Sequence, residues 1–256
     1  MSQLCVKNQY YSGQGSLSLG LKDPNTGEIM EGLRPVGNVS ALTLGITTEQ
    51  FEHTESCSGA RGVDFSLNTE VNVSVGITME SLNRENLALV TNGSSAVTLP
   101  GSVTDEAIIA GAVNNFVPLK NISVSNVIVS DSAGTPLSED VDYTFDERSG
   151  MVCVLPGGAI TSGDDLLVDY DFGSYDNIQG FTGGANPVRW ARFAGLNTAD
   201  EDKAVVVDIF SLSIAPLAEL ALINDELAQM AVEATALSDS TRVAPSSNFF
   251  QVLKAI

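Results

Sequence analysis

Residues 64–80 alternate strictly between apolar and polar side chains, and this pattern constrains the fold more than any other feature of the sequence. The odd positions of 65–79 are Phe, Leu, Thr, Val, Val, Val, Ile and Met, and the even positions of 64–80 are Asp, Ser, Asn, Glu, Asn, Ser, Gly, Thr and Glu. This alternation predicts a β-strand with one buried and one solvated face. About sixteen residues at ~3.3 Å each reach roughly 50 Å, two to three times an ordinary strand. Strands of this length belong to barrels, tubes or extended sheets.

Shorter segments add further predicted elements. Strand-like runs cover residues 16–22, 38–46, 188–194 and 204–214. Residues 82–91 favour a helix, with Ser81 as its candidate cap and Asn92-Gly93 as its stop. Residues 217–237 fit both a helical spacing and a strand alternation, and the helical spacing is the better match.

Residues 105–173 are predicted to form an inserted β-sandwich module. Its short strand candidates, parted by glycine-containing turns, lie at 113–119, 124–130, 141–147, 151–155 and 166–172. Segment 101–176 has 13 acidic and 2 basic residues, a net charge of −11, whereas the remainder has 19 and 10, a net charge of −9. This shift in charge supports a main domain in two parts, 1–104 and 174–256, around the inserted module.

The charge balance excludes several functions. The chain has 32 acidic and 12 basic residues and a formal net charge of −20 at pH 7. A nucleic-acid reader is excluded, because affinity for phosphate comes mainly from Lys and Arg, and binding to anionic membranes is disfavoured for the same reason. Since 43% of residues are hydrophobic and 17% are charged, a core can form and disorder is disfavoured.

The cysteines and the apolar segments predict the cellular setting. The chain has three cysteines, Cys5, Cys57 and Cys153. Because their number is odd and they lie far apart in sequence, they indicate neither a disulfide framework nor a metal motif. No secretory signal is evident, and no apolar run is long enough to span a bilayer. We therefore expect a protein made in a reducing cytoplasm, without a membrane partner.

Candidate catalytic groups are few. His53 and Cys57 could be imagined as a base and a nucleophile, but a solvated loop histidine beside an ordinary thiol is the better interpretation. Adjacent carboxylates are numerous enough to arise by chance at turns, so a glycosidase pair is not indicated. Trp190 is expected in the core or a subunit interface, and Arg189 and Arg192 are expected to pair with acids. We predict no catalytic, cofactor-binding or metal-binding residue, and no enzyme.

The long strand instead suggests an assembly. An exposed strand edge needs a partner, and a ring of copies closes such edges into a barrel. An acidic inner wall without bases would repel phosphates, so that DNA could slide through without sticking. The predicted lumen-facing residues are Asp64, Ser66, Asn68, Glu70, Asn72, Ser74, Thr78 and Glu80.

Loose patterns of glycine, asparagine and turn residues extend through nearly the whole chain. They are Tyr10-Tyr11-Ser12-Gly13-Gln14-Gly15 with the strand after it, Pro35-Val36-Gly37-Asn38-Val39, the loop 49–62, the long strand, the helical segment 82–93, and, in the module, residues 142–150, 157–163 and 168–170. In these patterns the chain resembles the major tail tube proteins of long-tailed bacteriophages.

The resemblance implies an architecture. It implies a mainly β subunit, a β-sandwich with a flanking α-helix, that closes into hexameric rings whose long strands share one inner barrel. Rings stack into a tube through the loop 47–62, with the arm 1–14 as a second contact. The implied inter-ring residues are Tyr10, Tyr11, Glu49, Glu52, His53 and Arg61. The resemblance also implies a strand at 226–239 and places the module, which minimal members lack, on the exterior.

The resemblance also implies a function. We expect a structural subunit of a virion tail, assembled in the bacterial host cytoplasm, that conducts DNA during ejection and meets tape-measure, terminator and tip proteins. One alternative is a carbohydrate-binding or carbohydrate-acting β-sandwich protein, although 6% aromatic residues and one Trp offer it little. Another is a capsid decoration protein, which shares the acidic, β-rich character.

Overall fold

The structure, a computed structural model, describes residues 9–23, 25–57, 59–184 and 186–256. Strands make up most of its regular structure, which confirms the predicted mainly β class. Cys5 and the first eight residues of the predicted N-terminal arm lie outside the described residues.

Sixteen strands and one helix are assigned in the described part of the chain. The elements are β1 (Gly13–Leu21), β2 (Arg34–Pro35), β3 (Val39–Thr54), β4 (Val63–Met79), α1 (Arg84–Val90), β5 (Ser94–Thr98), β6 (Gly101–Ile109), β7 (Phe116–Pro118), β8 (Val124–Asp131), β9 (Tyr143–Asp146), β10 (Met151–Val154), β11 (Asp165–Phe172), β12 (Tyr175–Gln179), β13 (Arg189–Asn197), β14 (Lys203–Ile214), β15 (Met230–Ala236) and β16 (Phe250–Lys254).

The chain divides into two compact units. The first unit joins the part of the chain before residue 95 to residues 179–256, and the second unit is residues 95–178. The module predicted from sequence begins at residue 105, which falls inside β6, a strand that pairs with β11 from Gly101 onwards. The compact unit is therefore longer at both ends than the predicted module.

The first unit is built on one eight-stranded antiparallel sheet. Its strand order is β2-β1-β13-β14-β15-β4-β3, and β16 pairs with β14 beside this path. Strands far apart in this order share one core, since Leu17 and Leu19 of β1 cluster with Val75 and Ile77 of β4. The sheet must therefore fold back on itself to enclose this face, and β3 is left as an edge strand.

The helix α1 lies in the segment where the sequence predicts one, but it begins later. Asn83 caps it, because the Asn83 Oδ1 accepts a hydrogen bond from the Asn86 backbone N–H at 2.8 Å. Ser81, the predicted cap, instead uses its carbonyl oxygen to accept the Asn86 Nδ2 at 2.8 Å. Asn86 is fully buried and also donates to the Val36 carbonyl at 2.7 Å, so it ties the helix to the sheet.

The helix favoured by residue spacing over 217–237 is wrong. The segment contains β15, in which every second residue from Met230 to Ala236 is buried. This strand fills the position between β14 and β4, with Val232 opposite Ile77. Sheet pairing on both edges outweighs the helix propensity of alanine, methionine and glutamate there. The strand that the resemblance implies is present over these seven residues.

The second unit consists of two three-stranded antiparallel sheets around a core of its own. Their strand orders are β7-β10-β9 and β6-β11-β8, and β5 pairs with β12. Val129 and Val168 from one sheet and Val152 from the other are buried in one hydrophobic cluster. The buried Glu106 accepts a hydrogen bond from the Tyr170 hydroxyl at 2.5 Å, and burial raises the pKa of Tyr170 to about 12.

Candidate assembly surface

The hairpin of β3 and β4 extends beyond the sheet that anchors it. The two strands pair from Val39 opposite Met79 to Thr54 opposite Val63. On its other side β4 is paired with β15 only over residues 73–79. Residues 47–54 and 63–72, here called the distal hairpin, therefore form a two-stranded ribbon without a third strand in the described chain.

The ribbon and the residue that precedes it carry exposed apolar side chains. Phe51 lies directly opposite Leu67, and the two side chains are 55% and 53% exposed. The register shifts between Glu49 and Gln50, because β4 holds Thr69 as an extra residue there, so Ile46 and Phe51 point to opposite faces of β3. We call the exposed apolar side chains on both faces the apolar row. They are Ile46, Phe51, Val63, Phe65, Leu67 and Val71.

The polar residues of β4 alternate in sequence with these apolar residues. Asp64, Ser66, Asn68, Glu70, Asn72 and Ser74 are exposed, and Thr78 and Glu80 are half-buried. All eight predicted lumen residues thus remain accessible in the isolated chain. Their accessibility is compatible with a solvated inner wall, and it is the property that the sequence alternation predicts.

Two predicted inter-ring residues, Glu49 and Glu52, lie on β3 opposite predicted lumen residues of β4. The structure contradicts a loop over 47–62, because β3 continues to Thr54 and β4 begins at Val63. Glu49 is directly opposite Glu70, and Glu52 is opposite Ser66. Two predicted groups, one for the lumen and one for inter-ring contact, are therefore neighbours, and like charges face each other across the strands.

The turn of the distal hairpin carries the remaining polar contacts. The Nδ1 of His53 lies 2.6 Å from the Oδ1 of Asp64, and both side chains are about half exposed. Cys57 is exposed, and its backbone N–H donates to the Glu55 Oε2 at 2.8 Å. His53 thus contacts a carboxylate, which leaves the imagined nucleophile and base pair without support. Arg61 is exposed in the turn with a positive φ of 50°.

Tyr10 and Tyr11 lie at the start of β1, away from the hairpin in sequence. Both are more than half exposed. Asn197 holds this segment, because its Nδ2 donates to the Tyr10 carbonyl at 2.9 Å and its Oδ1 accepts from the Ser12 N–H at 2.9 Å. The described part of the N-terminal arm is therefore attached to the end of β13.

An open groove of about 770 Å³ runs between β3 and the opposite part of the sheet. Leu42, Leu44 and Ile46 line one wall, and β1, β13, β14 and β16 contribute the other. Ile46 belongs to both the groove and the apolar row. Sequence analysis missed this surface, because the apolar residues of β3 change from even positions at Leu42 to Ile46 to an odd position at Phe51, next to the bulge at Thr69 of β4.

Comparison with known proteins finds a family model that matches most of the chain. Residues 10–253 match the family described as "Protein of unknown function UCP028589". The match covers far more than half of the chain. The chain belongs to this family. A search of curated proteins finds no match.

The match to family UCP028589 includes residues on both sides of the second unit. The match starts within the first unit before β1 and ends within β16, and residues 95–178 lie between these limits. Both the distal hairpin and the groove therefore fall within the family match.

The part of the chain that the structure describes contains neither a metal-binding cluster nor a membrane-spanning helix. These residues contain no group of three or more His, Cys, Asp or Glu side chains that could hold a metal ion. Of the helices in these residues, none has the length and apolar character needed to cross a membrane.

Proposed function

We propose that this protein is the structural subunit of a bacteriophage tail tube, whose copies close into rings and stack into a conduit for DNA. The observation that carries this proposal is the distal hairpin, which exposes both apolar and acidic side chains and has no third strand in the described chain. Free strand edges and exposed apolar side chains mark a surface for other chains to cover.

Closure into a barrel meets both requirements. Side-by-side hairpins from a ring of copies would pair the free edges of β3 and β4, and a closed barrel has no edges. The interior of such a barrel would be the face that carries Glu70 and Glu80, and the predicted lumen residues include no base. Contacts between neighbouring copies would cover the apolar row.

The acidic interior suits the passage of DNA. Carboxylates repel phosphates, so a DNA duplex moving through the lumen would find no site at which to bind. The hexameric ring, the tape-measure, terminator and tip proteins, and the place of the protein in the virion tail follow from the resemblance, and they are part of the same proposal.

Electron microscopy of the purified protein tests the proposal. We expect negative-stain images to show rings or hollow tubes, because the hairpins supply a self-complementary surface. Sedimentation velocity should show species larger than the 26.8 kDa chain in the same samples. A protein that stays monomeric at every concentration and ionic strength tested, without rings or tubes, would contradict the proposal.

Replacing Glu70 with lysine should leave folding intact and slow DNA ejection. Lysine at this position would relieve the repulsion between Glu49 and Glu70, so the monomer should keep its stability to within about 0.5 kcal/mol. In the tube, the new positive charge would repeat on every subunit and would hold phosphates. Particles that carry E70K and eject DNA at the normal rate would refute the assignment of this face to the lumen; E70Q serves as the matched control.

A further inference from the structure

The connection between β14 and β15, residues 215–229, is held against the core of the first unit. Near its start, the Leu217 backbone N–H donates to the Val90 carbonyl of α1 at 2.7 Å. The side chains of Leu217 and Leu220 pack against the hydrophobic cluster of the unit. The first part of the connection is therefore fixed to the unit by its own contacts.

The rest of the connection exposes large apolar side chains. Leu222, Ile223 and Leu227, here called the apolar donor, are 85%, 97% and 87% exposed. Burial of such side chains is favourable in proportion to the apolar area that is removed from water. Exposed apolar residues that lie close together in this way mark a surface that another chain covers.

The first unit also contains an apolar space that its own side chains do not fill. This space is the open groove of about 770 Å³. Leu44 on one wall and Phe193 on the other are only half-buried, and Val252 of β16, which continues the second wall, is exposed. The groove therefore offers apolar area that an inserted side chain can still remove from water.

The groove is uncharged, which restricts what can occupy it. Of the described residues that line it, none is Asp, Glu, Lys or Arg, although the chain has 32 acidic and 12 basic residues. A nucleic acid or an ionic ligand would find no opposite charge there. Residues 220–224 of the connection, Leu-Ala-Leu-Ile-Asn, are uncharged as well. An apolar segment of this kind matches the groove in polarity.

The donor and the groove do not meet within one chain, because the donor side chains are exposed and none of them lines the groove. A second copy supplies a groove for each donor and a donor for each groove. A contact of this kind is heterologous, since it joins two different surfaces of identical chains.

We propose that the apolar donor of one copy docks into the groove of a second copy. The donor lies outside both the hairpin loop and the N-terminal arm, the two segments to which the resemblance assigns ring stacking. The inference goes beyond the proposed function, because it requires the association of two copies and does not require a tube. It identifies the partner of a segment that otherwise exposes its apolar side chains to water.

Substitutions on both sides of the contact test this docking. L222S/I223S/L227S, here called the donor variant, and V252D, which places a charge in the groove, should each raise the protein concentration at which copies associate at least tenfold. Sedimentation velocity measures this concentration. Combining the donor variant with V252D should be little worse than either alone, because both remove the same contact.

A matched control removes equally exposed apolar side chains from elsewhere in the chain. L99S/I109S/V141S truncates three exposed apolar residues of the second unit, and it should leave association unchanged. Because the donor side chains are exposed, the donor variant should keep the fold of the monomer, and circular dichroism checks this. The donor variant thus tests the contact even if V252D unfolds.

Disulfide crosslinking identifies the acceptor surface. In a C5S/C57S background, tagged copies with I223C are mixed with untagged copies with S40C, an exposed residue of the groove wall. Mild oxidation should join tagged to untagged copies, whereas S132C of the second unit should give no such product. A crosslink formed within monomers that carry both S40C and I223C would show that the donor occupies its own groove, and it would overturn the docking.

The outcomes separate the docking from the proposed function. A donor variant that forms rings at the wild-type concentration would overturn the docking alone. A loss of association in the donor variant but not in folded V252D would overturn the groove as the acceptor. Wild-type copies that associate without rings or tubes, and that lose this association in the donor variant, would support the docking and contradict the proposed function.

Discussion

Replacing Phe51 and Leu67 with serine is expected to abolish ring formation while the monomer stays folded. The two side chains form a cross-strand pair in the apolar row and are more than half exposed in the isolated chain. Their truncation therefore removes little from the core of the monomer, and its free energy of unfolding should change by less than ~1 kcal/mol. The effect should appear in assembly, where this row must be covered.

The size of the effect follows from the buried area. Complete burial of a phenylalanine or leucine stabilises by about 1.5 to 3 kcal/mol, and roughly half of each side chain is still available for burial by a neighbour. Each substitution should thus cost ~1 kcal/mol per contact. Two of them weaken every contact roughly 30-fold, and the loss repeats at each subunit of a ring.

Sedimentation velocity over a range of protein concentrations measures this loss. The matched control is Q50A/N68A, the neighbouring polar cross-strand pair of the same hairpin, which should assemble as the wild type does. Rings of F51S/L67S at the wild-type concentration would show that the apolar row is not covered by another copy. Circular dichroism confirms that the variant keeps its β structure.

The long strand shows how much of the fold the sequence contains. The alternation at 64–80 predicts β4 and its polar face, and from Val73 to Met79 the odd residues are buried as expected. From Val63 to Val71 the same alternation continues, but nothing in the described chain covers the apolar side. Alternation reports that a strand is amphipathic, and it does not distinguish a covering layer of the same chain from one supplied by a partner.

The errors in the sequence analysis have local causes. β3 escaped full prediction because its apolar residues change from even positions at Leu42 to Ile46 to an odd position at Phe51, where β4 accommodates the change with Thr69 as an extra residue. The segment around Met230 is rich in helix formers, and it forms a strand because it pairs with β4 in the sheet. The sequence does not show which arginine forms an ion pair. Arg192 pairs with Asp208, whereas Arg189 has no ion pair in the described chain.

Exchanging Asp208 for asparagine should cost about 2 to 3 kcal/mol at pH 7, the largest stability change we expect from a single isosteric substitution in the first unit. Asp208 is fully buried and accepts hydrogen bonds from the Arg192 Nε at 2.6 Å, the Arg192 Nη2 at 2.9 Å and the Gln251 Nε2 at 2.9 Å. An amide would direct its own donors at the guanidinium group. The estimate lies below the usual cost of breaking a buried ion pair, because the Arg192 side chain is 44% exposed and can be solvated.

The loss should depend on pH in a defined direction. Burial alone would raise the pKa of Asp208, but hydrogen bonds from Arg192 and Gln251 hold its pKa below the ordinary value. A carboxylate whose pKa is lowered by folding stabilises fully above its unfolded pKa of about 4, and this contribution is lost as the pH falls through the folded value. The gap between wild type and D208N should therefore be widest at neutral pH and shrink on acidification.

Urea unfolding between pH 7 and pH 3, followed by tryptophan fluorescence, measures this gap. Trp190 is the one tryptophan of the chain. Its ring packs edge-on against the Phe210 ring in the first unit, with 5.2 Å between the ring centroids, so its emission reports the unfolding of that unit. The control D225N removes an exposed carboxylate and should change the free energy of unfolding by no more than ~0.5 kcal/mol. A gap between wild type and D208N that stays constant down to pH 3 would show that the ionised pair does not stabilise the sheet.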